Sequence, residues 1–262
     1  MQNNILRILA LGDVVGSAAV ETLRCNIRKI KQSECADVVL VNAENCSDSN
    51  GTDIRGAESL LESGADVLTG GNHTIKLHEL YNTLDENKFV LRPANLPPLC
   101  PGHGFVILQA KNALRLLVIS MLGQTFMPPC DNPFLVADRI LKENQGNFDI
   151  AVCDFHAEAT SEKAAFAEYF DGRIHVVFGT HTHVQTADER YFPNGTGFIT
   201  DIGMCGVEQS VLGVKSSAVI KQFVTSIHDR FERADGLVTI HGALFDVNVD
   251  TKSVVALKRI RI

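Results

Sequence analysis

Five apolar runs in the sequence each lead into a short polar segment whose side chains suit metal binding. A lone Asp after a strand is commonly a turn former, and a lone His is commonly a packed residue. Two imidazoles separated by one residue, as in His181 and His183, can face one ion. Because the pattern recurs after five runs, it predicts a shared metal site. The segments are Gly12-Asp13, Asn42-Ala43-Glu44-Asn45, Gly71-Asn72-His73, Cys153-Asp154-Phe155-His156 and Gly179-Thr180-His181-Thr182-His183.

The side-chain types in these segments restrict the metal. No cysteine belongs to the ligand set, so oxygen and imidazole ligands predict Mn²⁺, Fe or Zn²⁺ rather than a structural thiolate zinc. The set exceeds the needs of one tetrahedral ion, whereas two ions sharing a carboxylate, usually about 3.5–4 Å apart, would use all of it. The candidate ligands are Asp13, Glu44, Asn45, Asn72, His156, His181 and His183.

The charge of such a site indicates its substrate class. Two divalent cations offset by the carboxylates of Asp13 and Glu44 leave a surplus of about +2. That surplus would hold a phosphate ester, although the formal net charge of the chain is −7. Few Lys or Arg residues lie in the five segments, which favours a diester over the more highly charged monoester. Arg92 is a further candidate for contacting a phosphate.

The elements that must position these residues alternate between strands and helices. Apolar runs predict strands at Ile5–Leu11, Asp37–Val41, Asp66–Thr69, Asp149–Cys153 and Ile174–Phe178. Amphipathic stretches predict helices at Ala18–Lys31, Asp53–Ser63, Leu77–Asn87, Pro133–Asn144 and Ser161–Phe170. The alternation is typical of an α/β domain with a buried sheet, in which the carboxyl ends of the strands converge on one crevice.

Two further pairs of segments predict β structure. Phe105–Gln109 and Leu114–Ser120 resemble a hairpin, while Leu237–Val249 and Val254–Ile262 predict two edge strands. The chain beyond Val184 is expected to be mainly β. No repeat, low-complexity tract or linker divides the sequence, so residues 1–262 are predicted to form a single domain.

Composition excludes several classes of protein. The chain has 262 residues, of which 45% are apolar, and it lacks a basic block, so non-specific binding to duplex nucleic acid is not expected. Seven cysteines without a C-x-x-C pair predict reduced thiols in a cytoplasmic protein. The apolar run Ile5–Leu11 is too short for a membrane span, which needs about 20 residues. The oligomeric state stays open, a homo-oligomer included.

The order of the polar segments resembles that of the calcineurin-like metallophosphoesterases. Within them, the stretches Asp154–Lys163 and Gly179–Asp188 are similar to those of the bacterial YmdB-like family. The resemblance covers nearly the whole chain. It implies a four-layer α/β/β/α sandwich, a centre of two metal ions (divalent or mixed-valence) and 2′,3′-cyclic nucleotide phosphodiesterase activity, in which a metal-bridging water attacks a small-molecule diester.

The same resemblance implies a role for each candidate residue. Glu44 would bridge both ions, and His73 would be the general acid. Many members carry a metal-binding His where this chain has Val15, and Asn45 is expected to fill that role. Independently of the resemblance, Asp154 and Glu158 flank His156 in the sequence and are expected to orient a ligating histidine. The first ion would be held by Asp13, Glu44, Asn45 and His183, and the second by Glu44, Asn72, His156 and His181.

Two other functions remain open at the level of the sequence. One is a phosphomonoesterase or protein phosphatase of the same fold, which would prefer p-nitrophenyl phosphate to its bis ester. The other is a nucleotide-binding regulatory protein, whose cellular effect would survive loss of catalysis.

Overall fold

The computed structural model describes residues 4–228 and 230–262. The strands are β1 (Ile5–Leu11), β2 (Asp13–Val14), β3 (Val38–Asn42), β4 (Val67–Thr69), β5 (Phe105–Gln109), β6 (Arg115–Leu122), β7 (Ile150–His156), β8 (Val176–Thr180), β9 (Arg190–Tyr191), β10 (Gly197–Ile199), β11 (Met204–Val207), β12 (Val238–Asn248) and β13 (Ser253–Arg261). The helices are α1 (Gly16–Ser33), α2 (Ile54–Glu62), α3 (Tyr81–Glu86), α4 (Pro133–Glu143), α5 (Thr160–Tyr169) and α6 (Ser216–Thr225), with 3₁₀ turns at His78–Leu80 and Lys111–Ala113.

The strands form two mixed sheets. The first has the order β2-β11-β12-β1-β3-β4, with β13 paired to β12, and the second has the order β5-β6-β7-β8-β10-β9. Strands β1, β3 and β4 run parallel in the first sheet, as do β6, β7, β8 and β10 in the second. Each sheet therefore has several carboxyl ends along one edge, and the polar segments of the sequence begin there.

Alternating side chains of β1 contribute to two apolar clusters. Leu9 lies in a cluster with Leu23 of α1, whereas its neighbour Ile8 lies in a cluster that includes Val152 of β7. Because successive side chains of a strand point to opposite faces, one face of β1 meets helices and the other meets the second sheet. A third cluster joins Phe166 of α5 to Leu117 of β6. These clusters fix the two sheets relative to the helices and to each other.

The predicted elements are present, with shifts at several ends. The most informative shift concerns β7, which continues beyond its expected end at Cys153 as far as His156. Both neighbouring strands pair with it there, since His156 is opposite Leu122 of β6 and Thr180 of β8. His156 thus ends a hydrogen-bonded strand, and its backbone is held on both sides.

Three expectations about the β structure need correction. The crevice is formed by the ends of two sheets rather than of one. The tail segments do pair with each other, but β12 is not an edge strand, because it lies between β1 and β13. The region beyond Val184 also contains the unexpected helix α6. Its apolar residues Val219, Ile220 and Phe223 do have helical spacing, and Phe223 is 83% exposed.

Among the described residues, no helix combines the length and the apolar character needed to cross a bilayer.

Candidate metal centre

The sequence-predicted ligands come together at the carboxyl ends of both sheets. Three apolar strands of the first sheet lead to four of them, and β7 and β8 of the second lead to the rest. Asp13, Glu44, Asn45 and His156 are buried, and the other members of the set are partly buried. In chain order, the positions are Asp13 in β2, Glu44 and Asn45 after β3, Asn72 after β4, His156 at the end of β7, and His181 and His183 after β8.

A buried hydrogen-bond relay fixes the tautomer of His156. Burial raises the pKa of Asp154 to about 6, although three donors act against it, so its carboxyl is ionised at neutral pH. The Thr180 hydroxyl donates to Asp154 Oδ1 at 2.6 Å. The same hydroxyl oxygen lies 2.9 Å from His156 Nδ1, and it must accept there because its proton is already used. His156 therefore carries its proton on Nδ1, and Nε2 is a bare acceptor.

A second carboxylate fixes His181 in the opposite way. Its Nε2 lies 3.1 Å from Glu158 Oε2, and this contact favours the tautomer with the proton on Nε2 and a bare Nδ1. The bare Nδ1 is 3.1 Å from the bare Nε2 of His156. Asn72 Oδ1 and Glu44 Oε2 lie 3.2 Å and 3.4 Å from that same His156 atom. Four lone-pair atoms thus converge with no proton between them, which is the arrangement that a cation requires.

Unpartnered oxygens mark the adjoining side of Glu44. Among the described residues, Asp13 Oδ1 and Asn45 Oδ1 are buried without a hydrogen-bond partner. The Asn45 amide donates to Glu44 Oε1, and His183 Nε2 lies 4.0 Å from Asp13 Oδ1. Val15, at the position where a ligating His was considered, forms a β-bridge with Asn45. The amide oxygen of Asn45 is therefore held close to the carboxylates and available to a cation.

Glu44 belongs to both halves of the cluster. Its donor atoms group with those of His156 and His181, and also with those of Asp13 and His183, each group spanning no more than 4.8 Å. Gly71 makes this convergence possible, because a Cβ there would lie 2.3 Å from His156 Nε2 and 2.5 Å from Glu44 Oε2. Any larger residue at Gly71 would displace the donor atoms.

The electrostatics of the cluster suit a cation. Burial lowers the pKa of His156 to about 3 and also lowers the pKa values of His181 and His183, so all three imidazoles favour the neutral form that can donate a lone pair. Burial raises the pKa of Asp13 well above its ordinary value, and the Glu44 carboxylate adds to the rise. A positive ion would remove this repulsion. The residues present therefore fit a metal centre built from oxygen and nitrogen ligands.

His73 lies beside the cluster with one face open. Its backbone N–H donates to Glu44 Oε2 at 3.0 Å, and its Nδ1 is 3.3 Å from Glu44 Oε1. The side chain is 35% exposed, whereas that of Glu44 is 1% exposed. With Nδ1 directed to the carboxylate, the opposite ring nitrogen, Nε2, is available to a ligand that enters from solvent.

Comparison with known proteins identifies the family of this chain. A model of the YmdB-like protein family matches residues 9–260. This chain belongs to the YmdB-like family. A protein of Bacillus subtilis named "2′,3′-cyclic-nucleotide 2′-phosphodiesterase" is 42% identical to it over 257 residues, which cover 98% of this chain and 97% of that protein.

Two solved structures are similar to this YmdB-like chain. One, from Mycoplasma pneumoniae and described as a novel phosphatase, has a TM-score of 0.92 at 35% identity and covers 99% of this chain and 94% of its own. The other, a hypothetical protein from Thermus thermophilus, has a TM-score of 0.91 at 35% identity and covers 98% of this chain and 99% of its own. The mixed α/β fold of this chain is thus shared with both of these solved structures.

Several contacts in the YmdB-like site differ from the sequence expectations or go beyond them. Arg92 does not face the cluster, because its guanidinium donates to the carbonyls of Pro93, Cys100 and Pro101. Thr180 was not singled out, although its place between Gly179 and His181 put it at a strand end. Asp201 was also missed, since it follows β10 and no motif marks it.

Proposed function

We propose that this chain is a metal-dependent phosphodiesterase that hydrolyses 2′,3′-cyclic nucleotides at the bond to the 2′ oxygen. The observation that carries the proposal is the pair of ligand groups that share Glu44. The name of the 42% identical Bacillus subtilis protein supports the substrate and the bond. The guanidinium of Arg92 donates to backbone carbonyls, so this residue is not placed to hold the more highly charged monoester.

Two ions, of Fe, Mn or Zn, are assigned to the two groups. Asp13, Glu44, Asn45 and His183 would hold the first, and Glu44, Asn72, His156 and His181 the second. When bound, such ions lower the pKa of water and neutralise the charge of a phosphate. Neighbouring side chains would orient the histidine ligands. The Thr180–Asp154 relay positions His156 with Nε2 toward the second ion, and Glu158 positions His181 with Nδ1 toward it.

His73 is assigned the role of proton donor. Glu44 holds its Nδ1, so Nε2 would protonate the 2′ oxygen as the bond from phosphorus to that oxygen breaks and water adds to phosphorus. The product would be the 3′-nucleotide. His73 stays outside the two ligand sets, because its ring contacts Glu44 Oε1 rather than one of the four converging atoms.

The architecture and the cellular location of the protein are assigned on separate observations. We propose a four-layer α/β/β/α arrangement within one domain, supported by an apolar cluster containing residues of both sheets and by one helix-containing cluster for each sheet. We also assign the protein to the cytoplasm, in keeping with its seven free thiols.

The test combines metal analysis with product analysis. Metal-free protein would be loaded with Mn²⁺ and given 2′,3′-cyclic AMP, bis(p-nitrophenyl) phosphate and p-nitrophenyl phosphate. We expect two ions per chain, 3′-AMP as the product separated by chromatography, and faster turnover of the bis ester than of the monoester. A single ion at saturation, or a preference for the monoester, would contradict the assignment.

A further inference from the structure

Lys163 is a charged side chain buried completely within the protein. It lies in α5, and its ammonium donates to the Thr180 carbonyl at 2.9 Å and to Asp201 Oδ2 at 2.8 Å. Both Lys163 and Asp201 are 0% exposed. A Cβ on Gly179 would lie 2.8 Å from Lys163 Cδ, so the absence of a side chain there makes room for the lysine. The roles proposed above give this buried ion pair no function.

Asp201 connects the ion pair to Thr182, the residue after His181. The same Oδ2 that receives Lys163 also accepts from the Thr182 N–H at 3.1 Å and from the Thr182 hydroxyl at 2.8 Å. Oδ1 accepts from the Gly203 N–H at 2.9 Å. The ion pair is therefore bonded to the residues before and after His181, while the histidine side chain is left free to face the cluster.

The backbone of this loop explains why such a device is needed. His181 has φ of 99° and His183 has φ of 64°, both in the left-handed region that non-glycine residues seldom adopt. Such conformations persist where surrounding contacts over-determine them. In this conformation the donor atoms of His181 group with Glu44, and those of His183 group with Asp13 and Glu44. The His181 N–H also donates to Asp13 Oδ2 at 3.1 Å.

We propose that the Lys163–Asp201 ion pair is a positioning device that holds the His181–His183 loop in its ligating conformation and thereby sets the affinity for both ions. The proposal rests on the metal centre assigned above. It predicts that loss of the pair lowers metal affinity even in protein that remains folded. Both ions should be affected, because His183 is assigned to the first ion and His181 to the second. An ion pair that only stabilised the fold would leave the affinity of the folded protein unchanged.

The experiment compares Lys163→Met with a variant that breaks a second, less buried ion pair far from the loop. The control is Arg7→Met, which breaks the ion pair between Arg7 and Asp246, at 2.6 Å. This pair lies near the start of β1 and not at its carboxyl end. Metal-free proteins would be titrated with Mn²⁺ by calorimetry, and their Tm values would be measured. We expect both variants to have lower Tm, and only Lys163→Met to bind both ions about 10–100-fold more weakly.

A second variant keeps the proposal testable if Lys163→Met does not fold. Thr182→Val leaves the ion pair intact and removes only the hydroxyl bond to Asp201. We expect it to weaken the binding of both ions, but less than Lys163→Met does. We also expect faster hydrogen exchange at the Thr182 amide in the metal-free state. Wild-type affinity for both ions in whichever variant folds, or equal weakening in Arg7→Met, would overturn the positioning role. Failure of the wild-type chain to bind Mn²⁺ would instead overturn the metal centre itself.

Discussion

Replacing Thr180 by Val should weaken one ion of the proposed pair selectively. The hydroxyl donates to Asp154 and accepts from His156 Nδ1, at 2.6 Å and 2.9 Å. Val is close to Thr in volume, so the main change is the loss of these two bonds and of a longer one that the hydroxyl accepts from Asn42 Nδ2 at 3.3 Å. Asp154 keeps donors from Asn42 and Thr69, whereas the buried Nδ1–H of His156 loses its acceptor.

The size of the effect follows from what the imidazole can do next. Leaving a buried donor unsatisfied costs about 1–3 kcal/mol. His156 can avoid this cost by moving its proton to Nε2, but that atom faces His181 Nδ1 and Asn72 Oδ1, where the second ion would bind. The ion must then displace the proton. The proton moves whenever the shift costs less than the unsatisfied donor, so metal binding loses up to about 1–3 kcal/mol, which corresponds to a reduction of up to roughly 5–150-fold.

The assay is calorimetric titration of metal-free protein with Mn²⁺, in which the two binding steps are fitted separately. Thr69→Val is the matched control, because Thr69 also donates to Asp154 but does not contact His156. We expect the control to lose stability while it retains the affinity of both ions. Equal weakening of both ions in Thr180→Val, unchanged affinity, or the same loss in Thr69→Val would refute the relay.

Three other changes test separate parts of the site and the fold. Glu44→Ala should abolish binding of both ions, because its carboxylate belongs to both ligand groups; metal analysis that finds two ions would contradict this. His73→Ala should retain two ions while kcat for cyclic nucleotides falls by about 10²–10⁴, and wild-type turnover would exclude the general-acid role. The contribution of His175 to stability should fall by about 3 kcal/mol as pH decreases from 6.5 to 4, because burial lowers its pKa to about 4 and, at this residue, only the unfolded chain is protonated in that window. Urea unfolding of wild type and of His175→Gln would measure the difference, which should be smaller in the variant.

The sequence predicted the candidate ligands because each of them lies beside an apolar strand. Strand ends are local features of a sequence, and the parallel direction of β1, β3 and β4 then brings their ends together. The metal-binding roles of the seven residues stay predictions. The geometry adds the relay of Asp154 and Thr180, which depends on two strands being in register at His156 and Thr180.

The rest of the arrangement depends on contacts between distant segments. Asp201 meets Lys163 and Thr182 only because β10 pairs with β8, a pairing that no periodicity encodes. The central position of β12 has a similar origin. Its alternation resembles that of an edge strand, and only its simultaneous pairing with β1 and β13 distinguishes it. Helix α6 was missed although its apolar spacing is helical, because turn-rich segments surround it.

The donor atoms of the proposed centre come from both sheets, which makes a metal ion a link between them. Asp13 and Glu44 follow strands of the first sheet, whereas His156 and His181 belong to the second. Without a cation, converging lone pairs and two buried carboxylates repel one another; the pKa of Asp13 is raised chiefly by burial and further by the Glu44 carboxylate. An ion that binds only the folded chain at a hundred times its Kd adds about 2.7 kcal/mol of stability. Metal binding and association of the two sheets are therefore linked: the apolar cluster between the sheets sets their arrangement, and a cation would offset the repulsion at its polar edge.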